Sequence, residues 1–391
     1  MTQRKRALPG TLRRHAEDLR AGARLVVDAT LGVVDIVEGM HTAIGAVPGI
    51  TPLVYQVIRR VTGLVGAGID TLIAPLAPLL GESNPGPQRQ VVLAALNGVL
   101  GDRLEATHSP LAIAMSLRPP LEQLRPGGTL LVLVHGSCMC DLHWTRNGHD
   151  HGGALAQELG WTPVYVRYNS GRHVSANGQD LAALLERASA GFSDVVVLAH
   201  SMGGLVARAS IRAADDAGLA WRQKLRALVL LGTPHHGAPL ERAGNLFETL
   251  LGVSKYSAPL RALGQIRSAG VTDLRFGNVV EADGARDRFA PGTDRRTPTP
   301  LPEGVRCYAV AATTAAALDG GARGGDGLVP VGSALGEHPE AAFTLRFSGK
   351  HIVPGATHLD LLSSPEVYRV IRDWLLPGGD LRQFAQTFSE Q

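Results

Sequence analysis

Asp194-Val-Val-Val-Leu-Ala-His-Ser-Met-Gly-Gly-Leu-Val-Ala-Arg208 changes character at its midpoint. A short valine-rich apolar run has the texture of a buried strand. It ends at Ala199-His200-Ser201-Met202-Gly203-Gly204, and an Ala- and Leu-containing helical pattern follows at once. Strand, tight turn with a central serine, then helix is the context of a nucleophile elbow. Such a turn strains the serine backbone and lifts its hydroxyl clear of the sheet. Small residues two before and two after the serine let strand and helix pass closely. Here they are Ala199 and Gly203, with Ala in the place where Gly is commoner. The helix N-terminus aims backbone N–H groups at the space above Ser201, which favours developing negative charge. The plainer alternative, a serine in an ordinary strand-to-helix loop, is disfavoured by this flanking pattern.

Around the elbow the chain alternates between strand-like and helix-like segments. Thr129–Val134 and Thr162–Tyr168 have strand texture, and helical patterns cover Gly152–Leu159 and Asn177–Arg187. Beyond the elbow helix, Gly204–Ala214, come the strand-like Arg226–Leu231, Val305–Ala312 and Phe343–Phe347, and a closing helix at Pro365–Leu375. The expected fold class is therefore α/β, a mostly parallel sheet with helices on both faces. The interval 237–303 breaks the alternation with apolar helical pieces and the Pro-rich run Ala290–Pro302. An insert of this length after a strand predicts a lid or cap over the site, the alternative being a surface excursion without a role in binding.

A serine hydroxyl needs a base, and the base needs an orienting carboxylate. In this fold the acid follows a late strand, and the histidine lies in a loop before the last helix. Gly324-Gly-Asp326-Gly-Leu-Val-Pro330 follows the strand at Val305–Ala312, and Gly355-Ala-Thr-His358-Leu-Asp360 precedes the final helix. The assignment is Ser201 as nucleophile, His358 as base then acid, and Asp326 as orienting carboxylate. Asp319 is an alternative acid and His351 an alternative base, while Asp360 has the place of an exposed or helix-capping group. His235 and His236 precede Asp326, the wrong order for the base. The oxyanion needs two donors. The N–H of Met202 is one, and the other comes from the loop after the apolar strand ending Val134-His135-Gly136-Ser137-Cys138. Ser137 is preferred for it and Cys138 is second choice. His135 and Gly136, with His235 and His236 of Gly232-Thr-Pro-His-His-Gly237, are expected beside the substrate; the last two could equally be loop-fixing residues.

The sequence has 391 residues, 45% hydrophobic and 19% charged, enough for a large core and a further subdomain. A formal net charge of +3 gives no sign of a nucleic-acid binder, and none is expected as a partner; what excess there is sits at the start. Residues 1–24 hold Arg4, Lys5, Arg6, Arg13, Arg14, Arg20 and Arg24 against Glu17 and Asp18. No continuous apolar core follows these charges, so no conventional signal peptide is expected, and the expected location is cytoplasmic, with peripheral membrane attachment as an option. Residues 25–118 form a helical N-terminal region in this reading, either packing on the main domain or meeting an anionic membrane surface. Pro119-Pro120 and Arg125-Pro-Gly-Gly128 mark the boundary before the main domain, 119–391. Cys138, Cys140 and Cys307 do not form a disulfide framework. His149-Asp150-His151 could pass for a metal cluster, but Asp150 or Asn147 is better read as the cap of the following helix.

Taken together, Val134-His-Gly136, Ala199-His-Ser-Met-Gly-Gly204, Gly232-Thr-Pro-His-His-Gly237, Asp326-Gly-Leu-Val-Pro330 and His358-Leu-Asp360 resemble the α/β-hydrolase superfamily, and within it the lipases, over roughly residues 128–377. Gly-Thr-Pro followed by His and Gly, and Val271-Thr-Asp-Leu-Arg275 with Gly277, resemble the branch of bacterial triacylglycerol lipases and GPI inositol-deacylase-like proteins. The resemblance implies an α/β-hydrolase fold and cleavage of carboxylic, lipid-like acyl esters through an acyl-enzyme, with no cofactor. Calcium accompanies some lipases, but no convincing site is present in the sequence. An acyltransferase on the same fold and a membrane-surface protein with an inactive hydrolase domain are the rival expectations.

Overall fold

The computed structural model describes residues 87–106, 108–109, 111–238, 268–284, 294–316 and 324–376. The basic segment 1–24, residues 25–86, the alternative acid Asp319 and much of the proposed lid (239–267 and 285–293) lie outside the described residues.

Among the described residues seven strands form one sheet: β1 (Ser116–Arg118), β2 (Thr129–Val134), β3 (Thr162–Arg167), β4 (Asp194–His200), β5 (Leu225–Leu231), β6 (Arg306–Thr313) and β7 (Gly349–Pro354). Their spatial order is β1-β3-β2-β4-β5-β6-β7. Only β1 runs antiparallel, pairing Leu117 with Val166 of β3. Apolar residues run continuously through the central strands because both faces are covered. Leu130, Val132 and Val134 of β2 join one core with Val195, Val197 and Ala199 of β4. Helices α3 (Val174–Ala188) and α4 (Met202–Ala217) close that face. Leu131, Leu133, Val196 and Leu198 point the other way. Their cover is α2 (His151–Leu159) and α5 (Pro365–Leu375), the latter through Val367, Ile371 and Trp374. Capping is local and legible. Asp150 accepts from Gly153 N–H at the start of α2, and Ser364 accepts from Val367 N–H at the start of α5, with Pro365 in the first turn.

Two features depart from the expectation. The last strand is Gly349–Pro354, not Phe343–Phe347, where residues 341–343 form a short 3-10 turn. Among the described residues β7 is an edge strand with one neighbour and buries only Val353, so its pattern is mixed, and Pro354 is tolerated at its end. The alternating Phe343-Thr-Leu-Arg-Phe347 serves packing instead: Leu345 is buried and Phe347 lies against the core. The sheet also begins upstream of residue 119, at β1, a three-residue strand too short to show a period.

Helix α1 (Pro87–Ala106) belongs to the same packed body. Asn97 is fully buried, donating to the carbonyl of Leu111 at 2.8 Å and accepting from Ile113 N–H at 2.9 Å. This stitches α1 to the chain entering β1.

The elbow requires its small residues for a physical reason. A Cβ on Gly203 would lie 2.3 Å from the Val134 carbonyl oxygen and 2.4 Å from that of His135. Both are backbone atoms and cannot swing aside. Gly203→Ala is therefore expected to destabilise by about 1–3 kcal/mol through overpacking, against a helix propensity that favours alanine by about 1 kcal/mol. A lower urea midpoint with unchanged slope is the expected result; an equal or higher midpoint would contradict the close approach.

Candidate active site

The direction of strand addition reverses at β2. The chain passes from β2 outward to β3, then returns to β4 on the other side of β2. Loops leaving the carboxyl ends of β2 and β4 therefore diverge and open a crevice, the place where open α/β sheets bind ligands. Those loops are His135–Cys140 and the Ser201 elbow.

Ser201 has φ 56° and ψ −129°, a conformation costing roughly 1–3 kcal/mol. Its N–H donates to the carbonyl of Leu231, the last residue of β5, at 2.8 Å. The next residue, Gly232, has φ +56°, and a Cβ there would sit 3.0 Å from Cε1 and 3.1 Å from Nδ1 of His358. One strand end thus carries the Ser201 backbone on one residue and the His358 ring on the next.

His358 and Asp326 meet directly. His358 Nδ1 donates to Asp326 Oδ2 at 2.6 Å, with both side chains buried. The other carboxylate oxygen accepts from the N–H groups of Leu328 at 2.9 Å and Val329 at 2.7 Å. A backbone bond from His358 N–H to the Asp326 carbonyl, 3.0 Å, ties the two loops together. Because the carboxylate only accepts, the proton lies on Nδ1, leaving Nε2 as an acceptor, the tautomer a general base needs.

Gly136 holds the β2 loop against the elbow, since a Cβ on it would lie 2.9 Å from Ser201 Cβ. The N–H of Cys138, the second-choice oxyanion donor, is already taken by Ser170 Oγ at 3.0 Å. Among the described residues the Ser137 N–H has no acceptor. Met202 opens α4, where N–H groups have no acceptor within the helix. His135 stacks on Tyr168 with centroids 4.3 Å apart, and burial pushes its pKa down to about 3. His235 and His236 lie in the loop after β5, but Nδ1 of each ring is engaged by an arginine: His235 by Arg208 at 3.1 Å and His236 by Arg296 at 2.6 Å. This loop meets the segment after the acid through Ser333 Oγ, which accepts from His236 N–H at 3.0 Å and donates to the Gly237 carbonyl at 2.9 Å, and through the His236 ring, 5.0 Å from that of His338.

The alternatives separate. His351 lies within β7 and bonds Glu366 at 2.7 Å. Asp360 accepts from Thr357 N–H at 2.9 Å and closes the turn carrying His358. His149 and His151 bond each other at 2.8 Å, and His151 Nε2 donates to the Leu361 carbonyl at 2.9 Å. Among the described residues no group of three or more His, Cys, Asp or Glu could hold a metal ion. The three cysteines are buried and free. No helix among the described residues is long and apolar enough to cross a membrane.

His200 is a site neighbour that the sequence reading passed over. It is fully buried, its Nε2 donates to the His358 carbonyl at 3.1 Å, and the two rings lie 4.7 Å apart. Burial, and then the neighbouring His358, hold its pKa well below the usual histidine value, so it acts as a neutral donor. Its position just before the serine is the only signal that could have marked it.

A mostly parallel sheet with helices on both faces, a strand–serine–helix elbow at the reversal of strand order, and an Asp–His pair on later loops are the arrangement of an α/β-hydrolase fold. Residues 176–291 match the family model described as the PGAP1-like alpha/beta domain. Among solved structures, the mature form of a Bacillus licheniformis lipase is similar at 19% identity over 66% of this chain and 96% of that one, with TM-score 0.40. Aspergillus fumigatus lipase B is similar at 13% identity over 94% and 82%, with TM-score 0.40. A Listeria innocua gene product is similar at 14% identity over 63% and 94%, with TM-score 0.36. No curated protein sequence matches the chain.

Proposed function

We propose that the protein is a serine hydrolase that cleaves carboxylic esters with an apolar acyl chain. The reading rests chiefly on the buried 2.6 Å bond between His358 and Asp326, on loops that converge at the strand end beneath Ser201. In this mechanism Ser201 Oγ attacks the ester carbonyl while His358 Nε2 takes its proton. Asp326 stabilises the imidazolium and keeps its orientation. The N–H groups of Ser137 and Met202 receive the oxyanion as it forms. His358 returns the proton to the leaving alcohol, and a water deprotonated by the same nitrogen then releases the acid.

The test is a series of p-nitrophenyl esters from acetyl to palmitoyl. The expected result is turnover rising with chain length, with a burst of p-nitrophenol equal to the enzyme concentration if deacylation limits. Turnover confined to acetyl and butyryl esters would keep the chemistry and remove the apolar acyl preference. Acyl transfer to an added alcohol without hydrolysis would favour an acyltransferase. Inertness towards every ester would remove the reading.

A further inference from the structure

The oxyanion loop is pinned at three consecutive peptide planes. Tyr168 Oη donates to the His135 carbonyl at 2.7 Å, fixing the His135–Gly136 peptide. His135 Nδ1 donates to the Gly136 carbonyl at 2.9 Å, fixing the Gly136–Ser137 peptide. Ser170 Oγ accepts from Cys138 N–H at 3.0 Å, fixing the Ser137–Cys138 peptide. A peptide unit is planar and trans, so holding the Gly136 carbonyl on one side directs the Ser137 N–H to the other. The loop needs such restraint because Cys138 has φ +58°, a left-handed conformation unfavourable for a residue with a side chain.

Everything that holds the loop is itself fixed. Tyr168 and Ser170 are each 1% exposed. Burial raises the Tyr168 phenol above its ordinary pKa, so it stays a donor throughout the working pH range. Asn169, between them, donates to the Gly101 carbonyl of α1 at 2.9 Å. α1 also crosses the loop directly, since a Cβ on Gly98 would fall 2.3 Å from Cys138 Sγ. The Gly98 carbonyl in turn accepts from Ser268 Oγ at 2.6 Å.

We infer that Tyr168, the His135 ring and Ser170 are positioning residues that aim the Ser137 N–H at the developing oxyanion, with α1 buttressing the loop through Gly98. This rests on the proposed function, in which Ser137 is an oxyanion donor. It replaces the expected substrate contact of His135 with an orienting one.

The experiment compares Ser170→Ala, Ser170→Thr and Tyr168→Phe with wild type, measuring kcat, KM, the pH profile and the affinity for a long-chain trifluoromethyl ketone, which forms a tetrahedral oxyanion adduct. Removing an oxyanion donor costs about 10²- to 10³-fold in kcat, so a misaimed one is expected to cost about 10- to 100-fold. Ser170→Ala and Tyr168→Phe should lower kcat by that factor and weaken the ketone in parallel. KM and the pH profile should not move, and Ser170→Thr should restore most of the loss. Unchanged kcat, or losses in KM and thermal midpoint with ketone affinity retained, would overturn the inference. Should wild type prove inert to esters and to the ketone, the proposed function itself fails. The crystal structure of Ser170→Ala then decides the positioning role: a turned Gly136–Ser137 peptide, with its N–H aimed elsewhere, supports it and an unmoved one overturns it.

Discussion

Ser201→Ala is expected to lower ester turnover by roughly 10⁴- to 10⁶-fold, to the residual catalysis that binding and oxyanion donors supply alone. It should also abolish labelling by a fluorophosphonate. The fold should not report the change. The Ser201 side chain makes no capping hydrogen bond to α4, and the strained backbone is held by the Ser201 N–H bond to Leu231, which alanine keeps. Alanine carries the same Cβ into the φ 56° conformation, so the strain is also retained. The expected thermal midpoint is that of wild type within a few degrees. This combination separates a lost nucleophile from a lost structure. Turnover retained in a well-folded Ser201→Ala protein would remove Ser201 from the mechanism and, with it, the proposed function.

Cooperative acid unfolding is the second large effect, expected between about pH 4 and 5.5. Burial lowers the pKa of His135 to about 3 and that of His151 to about 4. His200 and His235 lie well below the ordinary value, again chiefly through burial. A histidine depressed in the folded state is neutral there while the unfolded chain already binds a proton. Its contribution is therefore complete above the unfolded pKa of about 6.5 and is lost as pH falls towards the folded value. Each such ring removes about 1.4 kcal/mol per pH unit within that window. Four together approach about 5 kcal/mol per unit, against a total stability of about 5–15 kcal/mol. Circular dichroism against pH, combined with urea titrations at fixed pH, measures both the midpoint and the slope. His151→Gln, whose amide can still donate to the Leu361 carbonyl, should reduce the slope by about one proton. A stability that stays flat from pH 7 to 4 would refute the burial-based account.

The geometry of the elbow and the meeting of Asp326 with His358 were legible because these residues obey local or chain-order rules. The elbow is a contiguous motif, and the order Ser201, Asp326, His358 follows from where late strands and the last helix fall. The cap of α2 by Asp150 is equally local, a short acceptor three residues before an orphan N–H. Illegible features depend on contacts distant in sequence. Gly98 and Gly101 of α1 are weak helix residues until their neighbours, Cys138 and Asn169, are known. Arg208 follows the solvent-facing habit of arginine, yet it is 6% exposed and bonds His235. The strand at 349–354 was obscured because an edge strand has no doubly covered face to impose apolar continuity.

The sequence by itself therefore determined the α/β class, the strand–serine–helix turn at Ser201 and the pairing of Asp326 with His358, since periodicity, turn chemistry and chain order are properties of neighbouring residues. Tertiary structure alone decided which donors stay open and which histidines hold structure. Cys138 N–H is closed by Ser170, thirty-two positions away, while Ser137 N–H meets no acceptor among the described residues. His235 is engaged by Arg208 because α4 packs beside the loop after β5. The physical reason is that a polar group's role depends on whether burial supplies it a partner, and partners brought together by packing leave no periodic trace in the chain.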